Sequence, residues 1–400
     1  MSNTSESRRS PTWKAEMGRR SPDEPHRTST PLELFFDLVF VVAVARASAS
    51  LEHEIIAGHA GAAVLNYLAV FFAIWWAWMN FTWFASAYDN DDVPYRLAVF
   101  VQLVGALILA AGVPEVVEHR NFAITTLGYV VMRSALVAQW LRAAHDDPHG
   151  RPAAIRFATG VSVLQVGWVV LLVVPEPFNW IGFIVLVVGE LVVPVWAERA
   201  TPTPWHPEHI SERYGLFTII VLGESILAGS VAIGAAVESR DYPSGLIEVM
   251  VGGILIVLSM WWIYFDLAGR VELDSLRMAF VWGYGHYAIF AAAAAVGAGL
   301  VVSVDHATHH AGDEGGVTSL TAGLTVTIPV ATYLLALWLL RDVAAQRRLV
   351  DGSLVVGVAI VVMAAAFTGH AVLLTGVILA ALVAFKVIRR ERRAAAVSTR

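Results

Sequence analysis

The chain has 400 residues, 57% of them hydrophobic and 15% charged, with a mean hydropathy of +0.64 and a formal net charge of -6. An average soluble domain is about 45–50% apolar and about 25% charged, so composition excludes an ordinary soluble fold. The absence of cysteine excludes a disulfide framework and a cysteine metal site.

Residues 1–30 are rich in Ser, Arg and Pro and contain no apolar core of the kind a signal peptide needs. They are expected to form a disordered basic cytoplasmic tail. Twelve apolar segments follow, near the length of about 20 residues that a helix needs to cross a bilayer. The first six lie near Leu34–Leu51, Ala60–Phe84, Leu97–Val113, Phe122–Leu141, Ile155–Val174 and Phe178–Trp196. The second six lie near Tyr214–Val237, Leu246–Leu267, Ala279–Val304, Leu320–Leu340, Leu354–Phe367 and Ala371–Ile388, the eleventh being short. The fold expected is all-α, a polytopic membrane protein of about 12 transmembrane helices. Arginine outnumbers lysine 25 to 2, a usage that fits GC-rich bacterial coding.

Cytoplasmic flanks of membrane helices accumulate Lys and Arg. With both termini inside, 23 of the 27 basic residues fall on the cytoplasmic side, and only Arg120 and Arg240 fall outside. Arg46 and Arg133 sit within predicted spans. The expected location is therefore the bacterial plasma membrane, multipass, with both termini cytoplasmic.

The halves resemble each other. Trp75-Trp76-Ala77-Trp78-Met79-Asn80 ends helix two, and Trp261-Trp262-Ile263-Tyr264-Phe265-Asp266 ends helix eight. An Arg opens the next helix in each case, Arg96 and Arg277, and helices one and seven both begin with Glu, Glu33 and Glu212. Recurrence over three successive helices predicts two parallel six-helix repeats, 31–197 and 212–389, joined by a cytoplasmic linker at 198–211 and followed by a basic tail at 390–400. An aromatic belt at the membrane interface is the plainer source of such Trp pairs.

A charged side chain in mid-membrane costs about 2.5–3.5 kcal/mol on insertion scales and usually has a partner or a functional role. The candidates are Asp37, Arg46, Arg133, Glu190, Glu224, Asp266 and His286. Counted from Glu33 and Glu212, Arg46 and Glu224 lie at about 18–20 Å along their helices, so the two could pair across the repeats. Glu224 therefore reads either as half of a structural pair with Arg46 or Arg133, or as a solute- or proton-handling carboxylate. Glu33 and Asp37 share a helical face, whereas Arg46 and His53 lie on the opposite one. Glu33 also suits a helix N-terminus. Asn80 and Asp266 occupy matching positions, where an interfacial role outweighs a catalytic one.

The loop Asp305-His306-Ala307-Thr308-His309-His310 with Asp313 and Glu314 holds metal-ligating types without a defined spacing. It reads as a solvated loop. Trp205-His206-Pro207-Glu208-His209 lacks the register of a helical zinc motif, and its proline argues against a helix there. No phosphate loop, dinucleotide fingerprint or serine-hydrolase elbow occurs in its proper context. No catalytic residue, metal, cofactor or nucleic-acid partner is indicated; the partners expected are the lipid bilayer and a small solute or proton.

Two stretches carry a family likeness: Pro31-Leu32-Glu33-Leu34-Phe35-Phe36-Asp37-Leu38-Val39-Phe40-Val41 followed by Glu52-His53, and Glu212-Arg213-Tyr214-Gly215-Leu216-Phe217-Thr218-Ile219-Ile220-Val221-Leu222-Gly223-Glu224-Ser225. With the Trp261-Trp262 stretch ending in Asp266, the chain resembles the low temperature requirement protein A (LtrA) family from about residue 30 to 390. The resemblance implies a bacterial multipass membrane protein and marks Glu33, Asp37, His53, Arg213, Glu224 and Asp266 as characteristic positions. It brings no settled substrate or reaction. A secondary transporter or permease, with a pathway between the repeats near Glu224, Asp37 and Arg46, is the leading expectation. A membrane-embedded enzyme acting on a lipid or isoprenoid at Glu33, Asp37 and Asp266, a structural or sensory membrane protein, and a channel are the alternatives.

Overall fold

The computed structural model describes residues 13–21, 24, 27–238, 244–268, 273, 275–308, 317–345 and 352–398. Twelve helices account for nearly all of them: α1 (Pro31–Ile56), α2 (Ala60–Tyr88), α3 (Val93–His119), α4 (Ala123–Asp146), α5 (Arg151–Leu171), α6 (Phe178–Glu198), α7 (Pro207–Glu238), α8 (Ser244–Ala268), α9 (Leu276–Thr308), α10 (Ser319–Ala345), α11 (Gly352–Ala365) and α12 (Ala371–Ser398). Among the described residues, ten helices are long and apolar enough to cross a membrane; α4 and the 14-residue α11 are the two that are not. Each of the twelve predicted segments falls on one helix, and most helices overrun their segments because polar end turns carry no hydropathy signal, whereas the segments run past the helix at the start of α4 and at the ends of α5 and α11.

The helices gather into two compact units. One comprises Met1–Ala43, Trp76–Gly112 and Asn121–Ile210; the other comprises Val44–Trp75, Val113–Arg120 and Ser211–Arg400. The division thus falls inside α1, α2 and α3 and near the start of α7, whereas the sequence pattern placed it between residues 198 and 211.

In the first unit α3 and α4 meet backbone to backbone. A Cβ on Gly128 would lie 2.6 Å from the Gly105 carbonyl oxygen, and one on Gly105 would lie 2.7 Å from that of Gly128. Such contacts are the usual way for membrane helices to gain dispersion energy where lipid offers no hydrophobic drive. Trp140 stacks on Phe157 at 4.2 Å between ring centroids, tying α4 to α5. In the second unit Gly252 of α8 and Gly376 of α12 make an equivalent close approach, and the Ala-rich middle of α9 is buried from Ile289 through Ala294.

The N-terminal segment departs from expectation. Its first twelve residues lie outside the described ones, but Met17 is fully buried, and residues 15–21 with Glu24 and Arg27 are held by α2, α4 and the loops that follow α2, α4 and α6. Asp92 accepts a hydrogen bond from the Ala15 amide at 2.9 Å, and Asp146 accepts one from the Met17 amide at 3.0 Å. Arg27 donates to the Ser86 and Ala85 carbonyls, both at 2.9 Å, which caps the C-terminal end of α2 with a cation. Arg142 clamps Asp92 with both terminal nitrogens, one bond being 2.9 Å. A stretch this basic reads as a solvated tail, yet its arginines meet carboxylates and orphan helix carbonyls at the bundle end.

Two further corrections concern element ends. Pro207 opens α7 where the sequence reading disfavoured a helix: proline suits a first helical turn, which has no intrahelical acceptor for an N–H, and the His206 ring accepts the His209 amide at 3.3 Å as a cap. The described part of 390–398 continues α12 and is not a separate tail. His309, His310, Asp313, Glu314, Arg240, Arg270, Arg347 and Arg348 lie outside the described residues.

Burial would raise the Asp92 carboxyl, but the bonds from Arg142, Ala15 and Tyr95 outweigh it and hold the group below its ordinary value. A lowered folded-state value stabilises the fold above the unfolded value of about 3.9 and is lost as pH falls through the lower one. Asp92→Asn should therefore lower the thermal midpoint at pH 7 by the equivalent of about 1.5–3 kcal/mol, and the gap to wild type should begin to narrow as pH falls below about 4 and close only below the lowered folded-state value. A gap that is constant down to pH 3 would refute the clamp. Gly128→Val should part α3 from α4 at a cost of about 1–3 kcal/mol, measured as a fall in midpoint in the same detergent.

Candidate functional site

The first unit holds an ion pair at the mid-height of its helices. Glu190 lies 12 residues into α6, about 18 Å along its axis, and is 2% exposed; Arg133 on α4 is equally buried. Arg133 Nη2 donates to Glu190 Oε2 at 3.0 Å. Two indoles complete the carboxylate: Trp76 Nε1 donates to Oε2 at 2.8 Å, and Trp168 Nε1 donates to Oε1 at 3.1 Å. Glu190 is thus coordinated from α2, α4 and α5 at once.

Arg133 is less complete. Its Nη2 also reaches the Tyr129 hydroxyl at 3.1 Å, and its guanidinium carbon lies 4.9 Å from the Tyr129 ring centre. Its Nε and Nη1 are buried and meet no acceptor among the described residues. Gln165, one turn before Trp168 on α5, likewise buries both ends of its amide without an acceptor or donor there. A buried donor left without a partner costs about 1–3 kcal/mol, more when charged. The pair is electrically neutral yet keeps hydrogen-bonding capacity on its cationic half.

Two more carboxylates of this unit lie on α1. Thr30 and Glu33 form a reciprocal cap: the Glu33 amide donates to Thr30 Oγ1 at 3.3 Å, and the Thr30 amide donates to Glu33 Oε2 at 2.7 Å. Glu33 Oε1 also lies 3.1 Å from His209 Nε2, so this carboxylate joins the first turns of α1 and α7. Asp37, one turn deeper and fully buried, accepts the Trp78 indole at 2.7 Å. Beside them at the bundle end, burial raises the Asp89 carboxyl and the Glu33 charge adds to it.

The remaining candidates do not join this cluster. Arg46 lies on the exposed face of α1 and Glu224 is half-buried on α7; neither has an ion-pair or hydrogen-bond partner among the described residues. The anticipated Arg46–Glu224 or Arg133–Glu224 pair does not form, because equal depth fixes position along a helix but not direction around it. Arg133 pairs with Glu190 instead. His53 shares the exposed side of Arg46, as the helical phase predicts. Arg213 is fully buried on α7. Asp266 pairs with Arg390 at 3.2 Å on an open surface, which fits an interfacial role. His286 is sealed in an aromatic box: its Nδ1 lies 2.7 Å from the Trp282 carbonyl and its Nε2 lies 3.0 Å from the Tyr264 hydroxyl. A neutral ring with Nδ1 donating and Nε2 accepting satisfies both contacts.

Sequence reasoning missed the indoles. Trp75 and Trp76 are at most 1% exposed, whereas the matching Trp261 and Trp262 are 44% and 48% exposed. The belt reading therefore holds for α8 and fails for α2. Trp76 and Trp78 donate to acids on other helices, Glu190 and Asp37, so no spacing within α2 could have singled them out.

Ten long apolar helices together with an ion pair buried at mid-helix define an integral helical membrane protein that crosses the bilayer many times. Residues 28–388 match the family of bacterial low temperature requirement A protein (LtrA), and the chain belongs to that family. It is also similar to an uncharacterized protein, RA0937, of Rhizobium meliloti (strain 1021), at 29% identity over 289 residues, covering 68% of each chain. No solved structure matches.

Trp76→Phe deletes one donor to a buried carboxylate and should cost about 1–3 kcal/mol. Trp261→Phe on an exposed face should stay within about 0.5 kcal/mol. Thermal midpoints of the two variants in one detergent measure the difference, and equal losses would remove Trp76 from the site.

Proposed function

We propose that the protein is a secondary transporter or permease of the bacterial plasma membrane, with Arg133 and Glu190 at its solute site. The observation that carries this reading is the Arg133 guanidinium: two of its donors, buried at the mid-height of a membrane bundle, meet no acceptor among the described residues. Purely structural buried arginines are expected to be saturated, since each idle donor is a net loss. The solute is a small species presenting an anionic or strongly accepting group.

Charge balance supplies a coupling ion. Arg133 and Glu190 are neutral together, so an anion on Arg133 adds an uncompensated charge in a medium of low dielectric. One proton taken up by Glu190 cancels it and also weakens the hold of Glu190 on Nη2, releasing that donor to the solute. Anion and proton then move together. The basic residues of the alternate loops support cytoplasmic termini, and the recurrence of the Trp-Trp and Arg-opening motifs supports two six-helix repeats of common origin.

The test is uptake into proteoliposomes under an imposed pH gradient, with labelled chloride, nitrate, acetate, lactate and phosphate as probes. Wild type should accumulate at least one probe with the gradient. Arg133→Gln should reduce that uptake at least tenfold, while Glu190→Gln should retain exchange of the probe and lose its dependence on the gradient. Folded wild-type protein that moves none of the five would overturn the reading.

A further inference from the structure

Arg46 and Glu224 remain unexplained by the site above, and both lie in the second unit near the middle of apolar helices, α1 and α7. Neither has a partner among the described residues. Arg46 belongs to an exposed stripe that runs through Val42, Ala49 and His53. Around Glu224, Gly223, Leu227 and Val231 are exposed, and a Cβ placed on Gly223 would meet nothing within 4 Å. Two opposite charges are thus turned toward the hydrocarbon, where an unpaired ion is least tolerable.

Their depths agree. Ser48 of α1 donates to the Ala294 carbonyl of α9 at 3.1 Å, and Ser225 of α7 donates to the Ala293 carbonyl at 3.0 Å. Arg46 precedes the first serine by two residues and Glu224 precedes the second by one. At 1.5 Å per residue the two charges lie within about 6 Å of one level, inside the reach of an arginine side chain. A two-fold axis along the membrane normal preserves depth, and it brings residue i of one copy to residue j of the other, and j to i.

We propose that two copies of this chain associate in the membrane about such an axis, Arg46 of each pairing with Glu224 of the other. The occupant is a second copy because the chain carries its own complement: one cation and one anion at a common depth on two separate helices. Two symmetric ion pairs then remove all four charges from lipid. A single bound ion would neutralise one residue and leave the other.

Differently tagged Arg46→Glu and Glu224→Arg chains test this. In a homodimer of either variant every such contact sets like charges together; in the mixed dimer both contacts join opposite charges, one with reversed and one with native sign. Subunit counting in lipid nanodiscs should give two copies for wild type, chiefly one for each variant alone, and two copies bearing one of each tag when the variants are co-expressed, with mixed dimers at least tenfold above either homodimer. Wild type that counts as one copy at every lipid ratio, or variants that associate without preference for the mixed pair, would overturn the proposal. Should the charge variants fail to fold, the cysteine-free chain offers a second measurement. Ala49→Cys and Gly223→Cys chains with different tags, mixed in native membranes, should cross-link through a short bis-maleimide, and the absence of a mixed product would overturn the proposal as well.

Discussion

A hydrocarbon surround supplies no hydrogen bonds, so each polar group inside the bundle has to be satisfied by the protein, and most of this architecture answers that requirement. Glu190 shows it in full. Three donors from three helices converge on two oxygens, and the orientations of α2, α4 and α5 about α6 are fixed in doing so. Asp37 and Glu33 repeat the solution with fewer donors. Even α9, with hardly a polar side chain in its middle, lends the Ala291, Ala293 and Ala294 carbonyls to Tyr67, Ser225 and Ser48.

The two units use the constraint differently. In the first, charge is placed inside and indoles are turned inward to meet it. The second has small residues at its helix contacts, a neutral histidine enclosed by rings, and exposed tryptophans on α8. If the halves descend from one ancestor, the two copies of the Trp-Trp motif have parted in role, one a hydrogen-bond donor to an acid in α2 and the other a surface anchor in α8. Sequence similarity of the halves therefore does not carry residue roles from one to the other.

Helix number and placement were legible because twelve hydrophobic stretches separated by charged turns admit few other readings. Arg133 and Glu190 were legible as buried charges by the same token. Their pairing was not, because counting residues gives height along an axis and leaves the facing neighbour undetermined. Arg46 and Glu224 show the same gap from the other side: equal height was inferred and the α9 contacts agree with it, but neither residue turns toward the other. The capping role of His206 and the anchoring of Ala15, Met17 and Arg27 were hidden for a chemical reason. Histidine, arginine and proline near a terminus are as common in solvated chain as in caps, and only the partners, the His209 amide, Asp92, Asp146 and the Ser86 carbonyl, distinguish them.

The Glu33–His209 contact has a bearing on how the protein is made. Ribosomes deliver α1 to the membrane long before α7, yet the acid at the head of α1 meets its histidine only after residue 209 has been synthesised. His206, which donates to the Glu24 carbonyl, arrives equally late. The end of the first unit around Glu33 therefore cannot close before the first turn of α7 is made. It stays open until the next helix begins, an interval in which Glu33 has its Thr30 cap but not yet its histidine.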